Sequence, residues 1–273
     1  MTGDPLASDL PAICVRDLVK RFGEITAVRG ISFDVRRGEV FAFLGPNGAG
    51  KTTTIKMLTT LLTPTSGTLE LDGLDLRSFG NEARKRFGIV FQDPSLDDQL
   101  TALENMNLHG ALYGVPARVR RERTVMLLKL FELWDRRRDL VRQFSGGMRR
   151  RMEVARSLLH TPKILFLDEP TLGLDPQSRN RLWSHIRTLN KEERLTVFLT
   201  THYMEEAERM ADRIAIIDHG QIIAQGSPSE LKQQTGSDVL EQAFLSLTGE
   251  AIREDSAEPI DRMRHAAQRF RRR

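Results

Sequence analysis

The 273-residue chain carries 41 Lys and Arg against 37 Asp and Glu, a formal net charge of +4, with 40% hydrophobic and 29% charged residues. That composition belongs to a globular protein of one large or two small domains, and so slight a basic surplus gives no case for a nucleic-acid partner. The single cysteine, Cys14, excludes an internal disulfide and a Cys-rich zinc site, and is expected as a small buried apolar residue. No run of about 18 apolar residues occurs, so no membrane-spanning helix is expected. Residues 1–11 lack the apolar stretch of a signal peptide. The chain is therefore expected to be soluble and intracellular, reaching membranes only through a spanning partner.

In chain order, Ile31, Phe33 and Val35 alternate with polar residues and predict a half-buried strand, closed by a turn at Arg36-Arg37-Gly38. Val40 to Leu44 is continuously apolar, as a strand buried on both faces requires. A glycine-rich loop follows. A helix is then expected from about Gly50 to Leu62, with Ile55, Leu58 and Leu62 at helical spacing. Pro64 to Gly67 reads as a turn, Leu69 and Leu71 mark another strand, and Gly88 to Phe91 a further one. From about Ala102 to Leu159, Leu, Met and charged residues replace β-branched ones and predict helices. Two strand–helix units come next. The first pairs Ile164 to Leu167 with a helix marked by Leu182, Ile186 and Leu189. The second pairs Thr196 to Leu199 with a helix around Glu205. Ile214 to Ile217 is another strand, turning at His219-Gly220, and Ser227-Pro228-Ser229-Glu230 is a capped helix start. Strands alternating with helices imply an α/β fold with a mostly parallel sheet. No internal repeat is present.

The chemistry sits in the loops. Gly45-Pro46-Asn47-Gly48-Ala49-Gly50-Lys51-Thr52 fits G-x-x-x-x-G-K-[ST] between a predicted strand and a predicted helix. Such a loop curls its N–H groups toward phosphate oxygens, and the helix start adds roughly half a positive charge. Lys51 can reach the β- and γ-phosphates, and the Thr52 hydroxyl can ligate Mg²⁺. Ile164 to Leu167 then delivers Asp168 and Glu169 to the carboxyl edge of a parallel sheet, where ligands bind in such folds. Asp168 would hold Mg²⁺, directly or through water, and Glu169 would orient and polarise an attacking water. Phosphoryl transfer needs mostly positioning and charge neutralisation, which these groups supply. Either acid alone would be an ordinary strand end.

The order and wording of these motifs resemble the ATP-binding cassette (ABC) family over roughly residues 13–244. The resemblance implies a P-loop NTPase core, an N-terminal antiparallel β-subdomain and an inserted helical subdomain at about 95–160. A 1–12 extension and a 245–273 basic tail flank it. Gly45 to Thr53, including Thr53, become the ATP-binding loop. Phe144-Ser145-Gly146-Gly147-Met148 resembles the signature loop, though the family usually has Leu first and Gln last. Taken alone, Ser145 with Gly146 and Gly147 is a good helix cap. In the family this tip faces the γ-phosphate held by the opposite subunit. Gln92 matches the glutamine loop that touches Mg²⁺ and the lytic water. His202 matches the switch histidine that contacts the γ-phosphate. Asp175 matches the loop crossing the dimer interface. Phe22 stands where the family stacks an aromatic ring, often Tyr, on adenine.

The resemblance thus implies an ATPase whose catalytic residues are Glu169, His202 and Gln92, with Mg²⁺ held by Thr52, Gln92 and Asp168. Its partners would be a second ATPase subunit and separate membrane permease subunits, and it would sit on the inner face of the cell membrane. Residues 239–249 and Arg149-Arg150-Arg151 resemble the daunorubicin-resistance type, which implies export of a drug, lipid or polysaccharide. An ABC ATPase of DNA repair would need long coiled coils or zinc modules, and a translation factor of the ABC type would need two cassettes. A small-molecule kinase would not need Ser145 to Gly147. Import is the nearest rival within transport. The terminal arginines, Arg269 and Arg271 to Arg273, suit a solvated tail or attraction to anionic headgroups.

Overall fold

The computed structural model describes residues 10–249. Residues 1–9 and 250–273 lie outside the described residues, and with them most of the expected N-terminal extension and the terminal arginines. Two sheets organise the chain. The first contains β1 (Ile13–Phe22), β2 (Ile25–Val35), β4 (Ser66–Leu71) and β5 (Leu74–Asp75), antiparallel in the order β2-β1-β4-β5. The second contains β3 (Val40–Leu44), β6 (Phe87–Val90), β7 (Ile164–Asp168), β8 (Thr196–Thr201), β9 (Arg213–Asp218) and β10 (Gln221–Gly226), in the order β10-β9-β3-β8-β7-β6. All its pairings are parallel except that of β9 with β10. The α/β class and the antiparallel N-terminal sheet expected from the sequence are both present.

Strand β3 lies between β9 and β8, and its period-2 alternation divides the core. Phe41 and Phe43 face the antiparallel sheet, while Val40, Ala42 and Leu44 face the helices on the other side. Phe33 of β2 stacks on Phe41 at 5.6 Å between centroids, and Phe41 stacks on Phe198 of β8 at 5.7 Å. Truncating Phe198, fully buried in this stack, to Ala would cost about 3–5 kcal/mol.

The helices are α1 (Lys51–Leu58), α2 (Leu76–Arg84), α3 (Ala102–Leu112), α4 (Ala117–Leu130), α5 (Gly146–Ser157), α6 (Pro176–Glu193), α7 (Met204–Met210), α8 (Pro228–Thr235) and α9 (Leu240–Thr248). Between α4 and α5 the chain makes short 3₁₀ turns at Trp134–Arg136 and Val141–Gln143. Residues 102–157 thus form the helical stretch the sequence predicts. Thr101 and Ser227 each close a capping box, with Glu104 and Glu230, at the starts of α3 and α8. Helix α9 crosses residue 244, the expected end of the cassette, and buries Leu240, Ala243 and Phe244.

Helix α1 stops four residues before the predicted Leu62. Thr60 adopts φ +61°, and the N–H groups of Leu61 and Leu62 both return to the Lys56 carbonyl, leaving Leu61 exposed. The half-buried Cys14 is a free thiol whose pKa burial pushes up, in keeping with a structural residue.

Candidate nucleotide site

Strand β3 ends at Leu44 and the chain bends at Gly45, where an added Cβ would lie 2.3 Å from the Ile217 carbonyl oxygen. At Gly50, φ is +108° and an added Cβ would meet the Ala27 carbonyl at 2.7 Å. Only glycine fits either place. Helix α1 begins immediately after, with Gly50 as its cap, no side-chain hydrogen bond there and no acid in its first turn. No acid of its own first turn offsets the positive end of its dipole. Lys51 is buried, and its ammonium donates to the carbonyls of Gly45 (2.7 Å) and Pro46 (3.1 Å). Burial lowers its pKa, and the charges of Glu169 and Asp168 oppose that. Thr52 and Asn47 are exposed and Thr53 half-buried on the same turn.

Two strands away in the sheet, β7 carries Asp168 as its last residue, almost wholly buried. The Thr200 hydroxyl donates to its Oδ1 at 2.6 Å. Burial, reinforced by the charge of Glu169, raises the Asp168 pKa against that hydrogen bond and the nearby lysines. Glu169 follows with φ +46°, a left-handed conformation that costs a non-glycine residue about 1–2 kcal/mol. Its N–H donates to the Thr200 carbonyl and hydroxyl oxygens, both at 3.1 Å. Its carboxylate lies 3.4 Å from the His202 ring. Burial alone would raise the Glu169 pKa, but His202 and Lys51 together bring it below the usual carboxylate value. The structure thus gathers Lys51, Asp168, Glu169 and His202 at the carboxyl ends of β3, β7 and β8, as the motifs predict.

The remaining expected residues sit around this group. Gln92 is exposed, just past β6. Phe22, at the end of β1, is 45% exposed, with Lys20 Nζ over its ring 5.0 Å from the centre. Ser145 caps α5, its hydroxyl accepting from the Met148 N–H at 3.2 Å. The helix therefore begins at Gly146. Gly146 has open space around it, whereas a Cβ at Gly147 would lie 2.5 Å from Ser178 Oγ. Asp175 caps α6 through the Ser178 N–H at 2.9 Å.

The profile of the family described as ABC transporter matches residues 28–172. The chain belongs to the ABC transporter ATPase family. It is 47% identical over 238 residues to a Nod factor export ATP-binding protein I of Ralstonia nicotianae, covering 87% of this chain and 74% of that one. It is 48% identical to the daunorubicin/doxorubicin resistance ATP-binding protein DrrA of Streptomyces peucetius, covering 84% and 69%. A solved ATP-binding cassette, a dimer in a post-hydrolysis state with ADP and Pi, superposes with a TM-score of 0.70 at 28% identity, covering 79% of this chain and 98% of the other. The chain is the ATP-binding and ATP-hydrolysing subunit of an ABC transporter. Such subunits dimerise and act with membrane-spanning partners. No described helix of this cassette is long and apolar enough to cross a membrane.

Sequence reasoning gave no role to Thr200, which holds both acids, or to Arg150, whose guanidinium donates to the Asp168, Glu169 and Pro170 carbonyls. A threonine ending an apolar strand beside the acidic one was the available signal for the first. For the second, three consecutive arginines on a helix cannot all face solvent, since successive side chains turn by about 100°.

Proposed function

We propose that two copies of this chain sandwich two Mg-ATP molecules and that the cycle of closure and hydrolysis drives an exporter. In this reading the residues from Gly45 to Thr53 cradle the triphosphate, Lys51 neutralises its β- and γ-oxygens, and Phe22 stacks on the adenine. Ser145, Gly146 and Gly147 of one copy cap the γ-phosphate held by the other, and Asp175 lines the seam between them. Glu169 orients and polarises the attacking water, Gln92 helps to place it, and His202 contacts the γ-phosphate while holding the Glu169 carboxylate.

The donor set fits a hard divalent cation. Asp168 is a buried acid whose ionisation the protein alone disfavours, Thr52 offers an exposed hydroxyl, and all available donors are oxygens. Thr52, Gln92 and Asp168 would hold Mg²⁺, which when bound supplies neutralisation of phosphate charge.

The observation that carries the sandwich is that the two phosphate-binding devices, the Gly45 to Thr52 loop and the Ser145 tip, begin different helices, α1 and α5. Ser145 and Gly146 at the tip of α5 are exposed, and a solved relative of this fold is a dimer. Export is supported by two relatives, one named for Nod factor export and one for daunorubicin and doxorubicin resistance. The membrane partner would be a separate permease engaged by the helical stretch at about 95–160 and the Gln92 loop, which places the cassette on the inner face of the membrane. The test is size-exclusion chromatography with light scattering on Glu169→Gln. With Mg-ATP it should run as a stable dimer with little turnover. A monomer at high protein concentration overturns the sandwich.

A further inference from the structure

Arg150 lies one turn along α5 from Gly147 and is 8% exposed. All five of its guanidinium N–H groups have acceptors. Nε donates to the Pro170 carbonyl at 2.7 Å. Nη2 donates to the carbonyls of Asp168 (3.1 Å) and Glu169 (3.0 Å). Nη1 donates to the Phe91 carbonyl and to Glu153 Oε2 (2.9 Å). Three consecutive carbonyls beyond β7 therefore converge on one side chain. Glu153, one turn further along α5, uses its other oxygen to accept from the Ser95 N–H at 2.9 Å. Arg156, a turn further still, donates to the Ser95 carbonyl at 2.8 Å.

We propose that Arg150 is a positioning residue that fixes the aim of Glu169 and, with Glu153, couples it to the signature tip and the Gln92 loop. The left-handed backbone of Glu169 relaxes unless both of its sides are held. Thr200 holds the N–H side, and Arg150 holds the carbonyl side from a different structural unit. The same guanidinium and its paired Glu153 grip both ends of the segment 91–95, which contains Gln92. Helix α5 is thus tied at one point to its own hydrolytic acids. Its N-terminal tip, in the reading proposed above, touches the nucleotide of the other copy. A displacement of the tip by that nucleotide moves Arg150, and with it the carbonyls of 168–170 and the entry to the Gln92 loop. Lysine cannot substitute, because its three N–H groups radiate from one nitrogen while the acceptors lie around a planar fork.

This inference rests on the roles proposed for Glu169 and the signature tip, and the experiment separates the two. Steady-state ATPase kinetics, fluorescent-nucleotide binding and hydrogen exchange are measured on Arg150→Gln, Arg150→Lys, Glu153→Gln and, as control, Glu169→Gln. Arg150→Gln should lose about 10- to 100-fold in kcat, the scale on which misplacement of a reacting group acts, while its nucleotide affinity stays within about threefold. It should lose amide protection at both 91–96 and 168–171, and Arg150→Lys should restore neither rate nor protection. Glu153→Gln should lose protection at 91–96 only and lose less rate. If Glu169→Gln retains turnover, the catalytic reading itself fails. If Glu169→Gln is inactive but Arg150→Gln keeps kcat within about twofold of the parent, the positioning role is overturned. Should Arg150→Gln fail to fold, Glu153→Gln decides the matter, and unchanged protection at 91–96 in that variant overturns the coupling.

Discussion

His202 Nδ1 lies 3.4 Å from Glu169 Oε2, and each residue stands one step beyond the end of a parallel strand. The contact orients the carboxylate and is one cause of its lowered pKa. Glu169 therefore stays ionised at neutral pH and can accept a proton from water. Replacing His202 with Ala removes the contact while leaving the P-loop untouched. We expect kcat to fall about 100-fold, the range of a lost acid–base partner, with nucleotide affinity little changed. Equal losses in rate and affinity would place His202 in ground-state binding instead.

Lys51 is held in a buried position by two carbonyls and two acids. Its removal has two effects. The phosphates lose a charge-assisted donor worth about 1.5–3 kcal/mol, and Asp168 and Glu169 lose a positive charge that favours their ionised forms. Lys51→Ala should weaken ATP binding by about 10- to 150-fold, that energy converted at 1.4 kcal/mol per tenfold. Isothermal titration with Mg-ATP reads the change directly. Unaltered affinity would remove the lysine from the nucleotide site.

Gly146 and Gly147 predict opposite tolerance although they are neighbours. A Cβ at Gly146 enters open space, whereas one at Gly147 lies 2.5 Å from Ser178 Oγ and 2.9 Å from Ser178 Cβ. Gly147→Ala must push α5 away from the start of α6, where the Ser178 N–H is bonded to Asp175. It should cost about 1–3 kcal/mol of stability, read by urea unfolding. Adding Ser178→Gly should recover part of that cost, since the atoms met are then gone. Gly146→Ala should stay within about 0.5 kcal/mol of the parent.

Much of this site was legible because its chemistry is written in contiguous loops. The run from Gly45 to Thr52 and the pair Asp168-Glu169 each follow a short apolar strand, so their place at the sheet edge comes from the βα pattern alone. His202 needed only the next strand. What escaped was either irregular or long-range. Strand β1 was not predicted because its alternation breaks at a bulge: Asp17 adopts φ +48° and the register shifts between Val15 and Leu18, which turns Leu18 inward out of phase. Helix α2 was missed because it is interrupted by a kink at Phe79. The end of α1 shifted for a local reason, a left-handed Thr60. The arginine run hinted that one member is buried, but the partners of Arg150 were out of reach, because its acceptor at Phe91 is 59 residues away and no local pattern encodes that meeting.

A pH dependence follows from two histidines remote from the nucleotide loop. His109 of α3 and His160 pack against Tyr113, with ring centres 4.6 and 4.0 Å away respectively. Burial, with Arg156 and His160 facing His109 and Arg123 facing His160, lowers their pKa values to about 3 and about 4. Both rings are thus neutral in the folded protein at pH 5, while in the unfolded chain, near the ordinary 6.5, they are protonated. The unfolded state then binds more protons, so stability is full above about pH 6.5 and falls as the pH drops from there toward about 4. At 1.36 kcal/mol per unit, each ring costs about 2 kcal/mol between pH 8 and pH 5. His185, also lowered by burial, adds in the same direction, and the depressed carboxylates act only at lower pH. Asp168, raised by burial, works against the trend. Urea unfolding at pH 8, 6.5 and 5 should show the parent protein losing about 4 kcal/mol or more, and the double variant His109→Gln, His160→Gln losing much less. A parent curve that does not move between pH 8 and 5 would mean that these rings are not held neutral by their surroundings.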